Sequence, residues 1–198
     1  NYLAFNRKQL VRYKEPTYFF RLSKYAPKVL EYIDRHPEFI QPESRRNEIL
    51  GLLHQGLDDI SASRSRFTWG VPFPRLTSQG EQQTTYVWFD ALPNYWTATR
   101  APASRAKWPA QLHVIGKDIT RFHCVIWPAM LLGANGQGSR GGTPSAFGTL
   151  QLPTEIVSSE YLTQSGSKFS TSRSTVLYVG DFLAEYGPDA LRYFISVA

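Results

Sequence analysis

Hydrophobic and polar positions change period several times along the chain. Leu22, Ala26, Val29, Leu30 and Ile33 recur every three or four residues, the spacing of an amphipathic helix with one buried stripe. His36-Pro37 closes that helix. Pro42 opens a second near residues 43–57, with Ile49, Leu50, Leu53 and Leu57 as its apolar face and Gly56 weakening its end. The segment Trp69–Pro74 holds two prolines and cannot be a central strand, and residues 77–84 read as polar loop. Thr85–Phe89, β-branched and aromatic, predicts a strand, with a helix from about Leu92 to Thr99 after it. Leu112–Ile115 predicts a short buried strand followed by a helix from Ile119 to about Leu132, and Glu155–Ser158 predicts a third strand. Glycines and Pro144 mark residues 134–145 as a surface loop. From about residue 165 the chain turns into a hydroxyl-rich loop, a β-like run Val176–Val179, and helical pieces from Asp181 and near Pro188.

Strand, helix, strand, helix, strand is one half of a doubly wound α/β fold with a parallel sheet. Ligands of such sheets sit outside the carboxyl ends of the strands, which picks out Asp90, then Gly116-Lys117-Asp118, then Ser158 onward.

Composition narrows the class of protein. The 198 residues are 42% hydrophobic and 19% charged, too apolar for a disordered chain and long enough for a buried core. The longest apolar run, Cys124–Ala134, is broken by Pro128 and falls far short of the ~20 residues that span a bilayer. No charged-then-apolar leader opens the sequence, so the expectation is a soluble, cytoplasmic protein. A single cysteine excludes an internal disulfide framework and Cys-based zinc clusters. The net charge of +6 suits nucleic-acid or polyphosphate partners. The first residue, Asn1, and the helical pattern running to the last residue predict a piece of a longer protein.

Three constellations could carry chemistry. At Gly116-Lys117-Asp118 a strand gives way to a helix: the glycine admits a ligand to the backbone, and the carboxylate can cap the helix or meet a ribose diol. Ile119 and His123 stack one helical turn apart, and with Trp88, Ala91 and Tyr95 could line an apolar pocket with two polar tips, or simply be core. Residues 165–175 hold Lys168, Arg173 and seven hydroxyls in eleven positions, a grip for a leaving pyrophosphate or a solvated linker. No metal-ligand spacing is present.

The motifs Glu15–Leu22, Arg46–Leu50, Asp59–Arg64, Trp69–Pro72, Tyr86–Ala91, Ile115–Ile119, Phe122-His123, Trp127–Ala129 and Asp189–Tyr193 together resemble the methionyl-tRNA synthetases, a family of class I aminoacyl-tRNA synthetases. The resemblance implies half of a Rossmann-type catalytic domain with a small α/β tail carrying a KMSKS-like loop. Residues 1–40 would be the exit of the connective-peptide insertion and a helix. Residues 41–164 would be the second half of the catalytic domain, and 165–198 the loop and the start of the stem-contact region. It further implies that Trp88, Ala91, Leu92, Tyr95, Ile119 and His123 bind methionine and that Gly116, Asp118 and Lys168 bind ATP. Lys168, Ser170, Thr171, Ser172 and Arg173 would form the catalytic loop, with Arg64 and Asp90 near the reacting centre. Leu92 stands where some members carry proline, and Thr171 replaces the loop's second lysine.

The implied substrates are methionine, ATP with Mg2+, and tRNA(Met), without zinc or a membrane in this part. The HIGH motif of the family's first half is not among these residues, so the implied activity is that of a methionine–tRNA ligase whose 198-residue piece is inactive alone. Two other readings stay open: a truncated paralogue that binds tRNA, and a ligase that passes activated methionine to another acceptor. A thioether accepts hydrogen bonds weakly, so shape, sulfur–ring contact and a bond from Tyr95 or His123 would recognise it. A single-methylene difference discriminates only about 10–200-fold, which makes norleucine and homocysteine hard to exclude.

Overall fold

Residues 14–136, 150–164, 167–168 and 178–197 are described by the structure, a computed structural model. β1 (Phe19–Phe20) leads into α1 (Leu22–Arg35), whose buried stripe is Leu22, Tyr25, Ala26, Val29 and Ile33. This is the stripe the periodicity predicts, with Tyr25 added. β2 (Ile40–Gln41) and α2 (Glu43–His54) follow, with Pro42 at the helix start. The helix ends three residues short of the predicted boundary, and Gly56 takes φ +83°, a left-handed turn that suits glycine. β3 (Ile60–Ser61) pairs antiparallel with β1, and β4 (Ser63–Arg64) with β5 (Thr84–Thr85).

The predicted strand Thr85–Phe89 does not form. Pairing stops at Thr85, and the next residues coil into α3 (Val87–Ala91), with α4 (Asn94–Thr97) just beyond Pro93. The two-residue β4 offers no further edge to pair with, so local β propensity is overridden. Trp88, Ala91, Leu92 and Tyr95 then fall at i, i+3, i+4 and i+7, one helical face.

β6 (Leu112–Gly116) is followed by a 3-10 turn over Lys117–Ile119, a π turn over Phe122–Ile126, and α5 (Trp127–Ala134). In the π turn the Trp127 N–H bonds the Phe122 carbonyl, five residues back. The widening sits just ahead of Pro128, which has no N–H and whose ring crowds the carbonyl four residues earlier. The single predicted helix is thus three pieces. β7 (Glu155–Ser159), the hairpin β8 (Thr163–Gln164) and β9 (Ser167–Lys168), α6 (Val179–Glu185) and α7 (Pro188–Val197) complete the described chain. Val179, placed by the sequence in a β-like run, begins α6; Val176 and Leu177 lie outside the described residues, as do 137–149 of the predicted surface loop.

One parallel sheet organises the molecule in the order β2-β7-β6. Ile40 pairs with Ile156 and Gln41 with Val157; Leu112 to Gly116 pair in register with Glu155 to Ser159. The parallel α/β architecture therefore stands, but its third strand is Ile40–Gln41 rather than Thr85–Phe89. Period-2 alternation buries His113, Ile115, Ile156 and Ser158 on one face. α1 packs on α5 and on α2, and α2 on β2, burying Val29, Ile33, Phe39, Ile40, Val125 and Leu131 almost completely. Burying each such large aliphatic or aromatic side chain contributes about 1.5–3 kcal/mol. On the opposite face Leu112 and Val114 are 52% and 70% exposed. No helix among the described residues is long and apolar enough to cross a membrane.

Candidate functional site

Past the end of β6 and along α3 and α4, aromatic rings converge. The Trp88 indole stacks on Phe122 with centroids 3.9 Å apart and lies edge-on to His123 at 6.4 Å. Tyr95 meets His123 at 5.5 Å and Trp127 at 6.2 Å. Its hydroxyl is 2.7 Å from His123 Nε2. The indole, phenol and imidazole picked from the sequence do come together. They reach one place because α3 and α4 share a face and the π turn carries Phe122 and His123 side by side against it.

Hydrogen bonding sets the tautomer. His123 Nδ1 lies 3.0 Å from the Ile119 carbonyl, which only accepts, so Nδ1 carries the proton. In the neutral ring Nε2 is then an acceptor, and the Tyr95 hydroxyl donates to it. Burial pushes the His123 imidazolium pKa down, opposed by the Ile119 bond, and burial raises the Tyr95 phenol. Beneath them His113 packs edge-on to Tyr95 at 4.3 Å and 5.8 Å from His123. It is 5% exposed, and burial, helped by His123, lowers its pKa to about 4. Its Nε2 is buried without a hydrogen-bond partner. Both imidazoles are neutral at pH 7.

Of the other residues implied at this pocket, Ala91 is half-buried and Ile119 packs against the core from its edge. Leu92, 1% exposed, is enclosed within the core behind Trp88 and Tyr95.

The turn after β6 is a second chemical feature. Gly116 has extended backbone, φ −79° and ψ 152°, which any residue can adopt. A Cβ built on it meets no atom within 4 Å. Asp118 does not cap the turn that follows, and its carboxylate has no hydrogen-bond partner among the described residues. With Lys117, Thr120 and Arg121 it lines a cleft of about 450 Å³ against Asn47 and Gln55 of the α2 side. Thr120 Oγ1 lies 2.9 Å from Ser158 Oγ, tying this turn to β7.

Arg64 Nη1 donates to Ser61 Oγ at 2.7 Å and to the Ser63 carbonyl at 2.8 Å, and its guanidinium sits 3.9 Å over the Tyr86 ring. Asp90 is exposed on α3. Lys168 closes the β8–β9 hairpin through its backbone, opposite Thr163. Ser170, Thr171, Ser172 and Arg173 lie outside the described residues. Among the described residues no three His, Cys, Asp or Glu side chains cluster as metal ligands. Cys124, fully buried and with its thiol pKa pushed far up by burial, is no nucleophile.

Three ring partners escaped the sequence reading as site residues: Phe122, His113 and Trp127. The alternation of Leu112-His113-Val114-Ile115, which puts His113 on the inner face with Ile115, was the available signal for His113. Phe122 and Trp127 stood only within the motifs of the resemblance, with no spacing to mark them as ring partners, since their approach depends on the π turn.

A family model described as class I tRNA synthetases (M) matches residues 4–198. The chain is 42% identical over 194 residues to the methionine–tRNA ligase of Fusobacterium nucleatum, covering 95% of this chain and 28% of that protein. It is 43% identical over 188 residues to the methionine–tRNA ligase of Thermosynechococcus vestitus, covering 91% of this chain and 32% of that protein. The fold superposes on the crystal structure of Mycobacterium tuberculosis methionyl-tRNA synthetase bound by methionyl-adenylate with TM-score 0.76 and 38% identity, covering 91% of this chain and 33% of that one. The chain thus spans about a third or less of the length of these relatives. With a family match that runs from residue 4 to the last residue, and a parallel sheet that superposes on a solved member, the chain belongs to the class I tRNA synthetases (M).

Proposed function

We propose that this chain forms part of a methionine–tRNA ligase, supplying the methionine side-chain pocket and one wall of the ATP site. The observation that carries the reading is the convergence of Trp88, Phe122, Tyr95 and His123 beside the carboxyl end of β6. Converging aromatic faces suit a thioether, which gains from sulfur–ring contact more than from strong hydrogen bonds. Trp88, Ala91, Tyr95, Ile119 and His123 line that pocket, and Leu92 backs it from the core.

Gly116 and Asp118 hold the nucleotide. Neither backbone strain nor crowding calls for glycine at 116, and its bare backbone leaves room for a ligand to approach closely there. The Asp118 carboxylate, without a hydrogen-bond partner among the described residues, is available to accept from a ribose diol. In the first step a carboxylate oxygen of methionine attacks the α-phosphorus of ATP, which enters with Mg2+. The bond from that phosphorus to the bridging oxygen breaks, and pyrophosphate leaves with the electron pair. In the second, a terminal ribose hydroxyl of tRNA(Met) attacks the adenylate carbonyl, loses its proton, and AMP departs. Neither step needs a protein nucleophile; both need position and charge stabilisation. Lys168 and Arg173 neutralise the leaving pyrophosphate in this reading, while the hydroxyls of Ser170, Thr171 and Ser172 donate to its oxygens.

Parallel sheets are normally covered on both faces, whereas Leu112 and Val114 stand exposed on one. That open face supports the view that further protein completes the catalytic domain and that the 198 residues alone are inactive. Methionine-dependent ATP–pyrophosphate exchange tests the reading. The protein as its gene encodes it should exchange, and Trp88→Ala should abolish methionine binding measured by tryptophan quenching. Exchange driven by another amino acid in preference to methionine would refute the assignment.

A further inference from the structure

Just past the carboxyl ends of the three parallel strands stand charged side chains, and those charges meet. β2 runs through Pro42 into α2, whose first turn carries Arg45; β6 ends in the turn that carries Lys117; β7 is followed at once by Glu160. Because β7 lies between the other two, Glu160 can reach both neighbours. Its Oε2 accepts from Lys117 Nζ at 2.6 Å, and its Oε1 accepts from Arg45 Nη2. Arg45 Nη1 holds Glu48 at 2.5 Å, so the two cations face two carboxylates and the group is neutral as a whole. The Lys117 ammonium also sits 4.6 Å from the ring centroid of Tyr161, the residue after Glu160. One strand position earlier, Ser159 Oγ donates to the Ile115 carbonyl at 3.1 Å. The Lys117 bond, followed by that of Arg45, holds the Glu160 carboxyl below the usual carboxylate range, so it is ionised at neutral pH.

This junction stands where ligands of a parallel α/β sheet bind. On one side it borders Gly116 and Asp118. On the other it opens into the β8–β9 hairpin that ends on Lys168. We propose that Glu160 is a positioning residue: it clasps the carboxyl ends of the three strands and fixes the Gly116–Asp118 turn against the foot of the hairpin, setting nucleotide affinity without touching the amino-acid pocket. An ion pair as exposed as this one contributes little to global stability, so its effect is read in placement rather than in unfolding.

The inference takes its assay from the proposed ligase reading, and the experiment separates the two. In the protein as its gene encodes it, Glu160→Gln keeps the side-chain shape and removes the charge. The KM for ATP in pyrophosphate exchange should rise about fivefold, the scale of losing surface ion pairs such as the two that Glu160 makes. Methionine affinity by tryptophan quenching and the melting temperature should hold. Lys117→Met should raise the ATP KM similarly, and the double variant should be no worse than either single one. An unchanged ATP KM in E160Q, multiplying effects in the double variant, or methionine affinity falling in step with ATP would each overturn the clasp. Wild-type protein that shows no methionine-dependent exchange would instead sink the ligase reading. The ATP-induced shift in melting temperature, compared between wild type and E160Q, then still reports on the clasp.

Discussion

The Tyr95 hydroxyl gives its one proton to His123 Nε2 across 2.7 Å, because the other ring nitrogen is already committed to the Ile119 carbonyl. Two residues that the sequence offers as hydrogen-bond donors to a sulfur are therefore spent on each other. What the pair presents to a ligand is a phenol oxygen with lone pairs and the faces of two rings. Recognition of a thioether then rests on shape and polarisability.

Tyr95→Phe should consequently leave the preference for methionine over norleucine within about twofold, well inside the ~1–3 kcal/mol a single methylene can command. It should lower folding stability by about 1–3 kcal/mol, the cost of stranding a buried acceptor without its donor. Exchange rates with the two amino acids and a urea melt measure both. A collapse of the preference would show that Tyr95 turns its proton to the ligand.

Acid should destabilise the fold through the two imidazoles that meet edge to face. His113 takes up a proton near pH 6.5 in the unfolded chain but only at about 4 in the folded one. Between those values the unfolded state holds more protons, so stability is complete above about pH 6.5 and falls as pH drops toward 4. The loss amounts to roughly 3 kcal/mol for this group, by 1.36 kcal/mol per pH unit of displacement. His113→Phe should flatten the curve of melting temperature against pH over that window. It should also raise stability at acid pH, since it removes an unpaired buried nitrogen.

Gly116→Ala separates a structural glycine from a ligand-bearing one. Space is open where the methyl would sit and φ is negative, so the change in stability should stay within about 0.5 kcal/mol. ATP affinity should nevertheless fall. Equal losses of both would mean the glycine serves the fold.

Asp118→Asn should weaken ATP about tenfold or more, the scale of a charge-assisted hydrogen bond. The same substitution should leave 2′-deoxy-ATP less affected, because the analogue lacks one of the two hydroxyls the carboxylate would accept from. Inhibition constants for the two nucleotides decide it; identical losses would place Asp118 away from the ribose.

Cys124 should resist alkylation in the native protein and react fully in guanidinium. It is wholly buried and its thiolate is disfavoured by that burial. Rapid native labelling would show that the α5 region opens far below the global unfolding free energy.

Much of the architecture was legible because burial imposes periodicity. The α1 stripe, the start of α2 at Pro42, β6 and β7 all follow from spacing alone, and α6 and α7 begin within two residues of their predicted starts. Thr85–Phe89 misled because its composition suits a strand while its neighbours decide otherwise: β4 offers two residues of pairing and no more. The i, i+3, i+4, i+7 recurrence of Trp88, Ala91, Leu92 and Tyr95 was the better guide. Ile40–Gln41 carried no strand signal, since a two-residue strand is made by its partner β7 rather than by its own pattern.

Taken by itself, the amino-acid order determined which side chains were candidates: an indole, a phenol and an imidazole, a glycine and a carboxylate at a strand end, all of them local facts of residue type and spacing. Tertiary structure alone decided what those groups can do. It brought His113 and Phe122 against the chosen three, committed the Tyr95 proton to His123, and enclosed Leu92 in the core. It also joined Glu160 to Arg45, 115 positions away, and to Lys117, 43 positions away. Donor direction, burial and ion pairing depend on atoms meeting in space, and no periodicity along one chain records which strands will lie side by side.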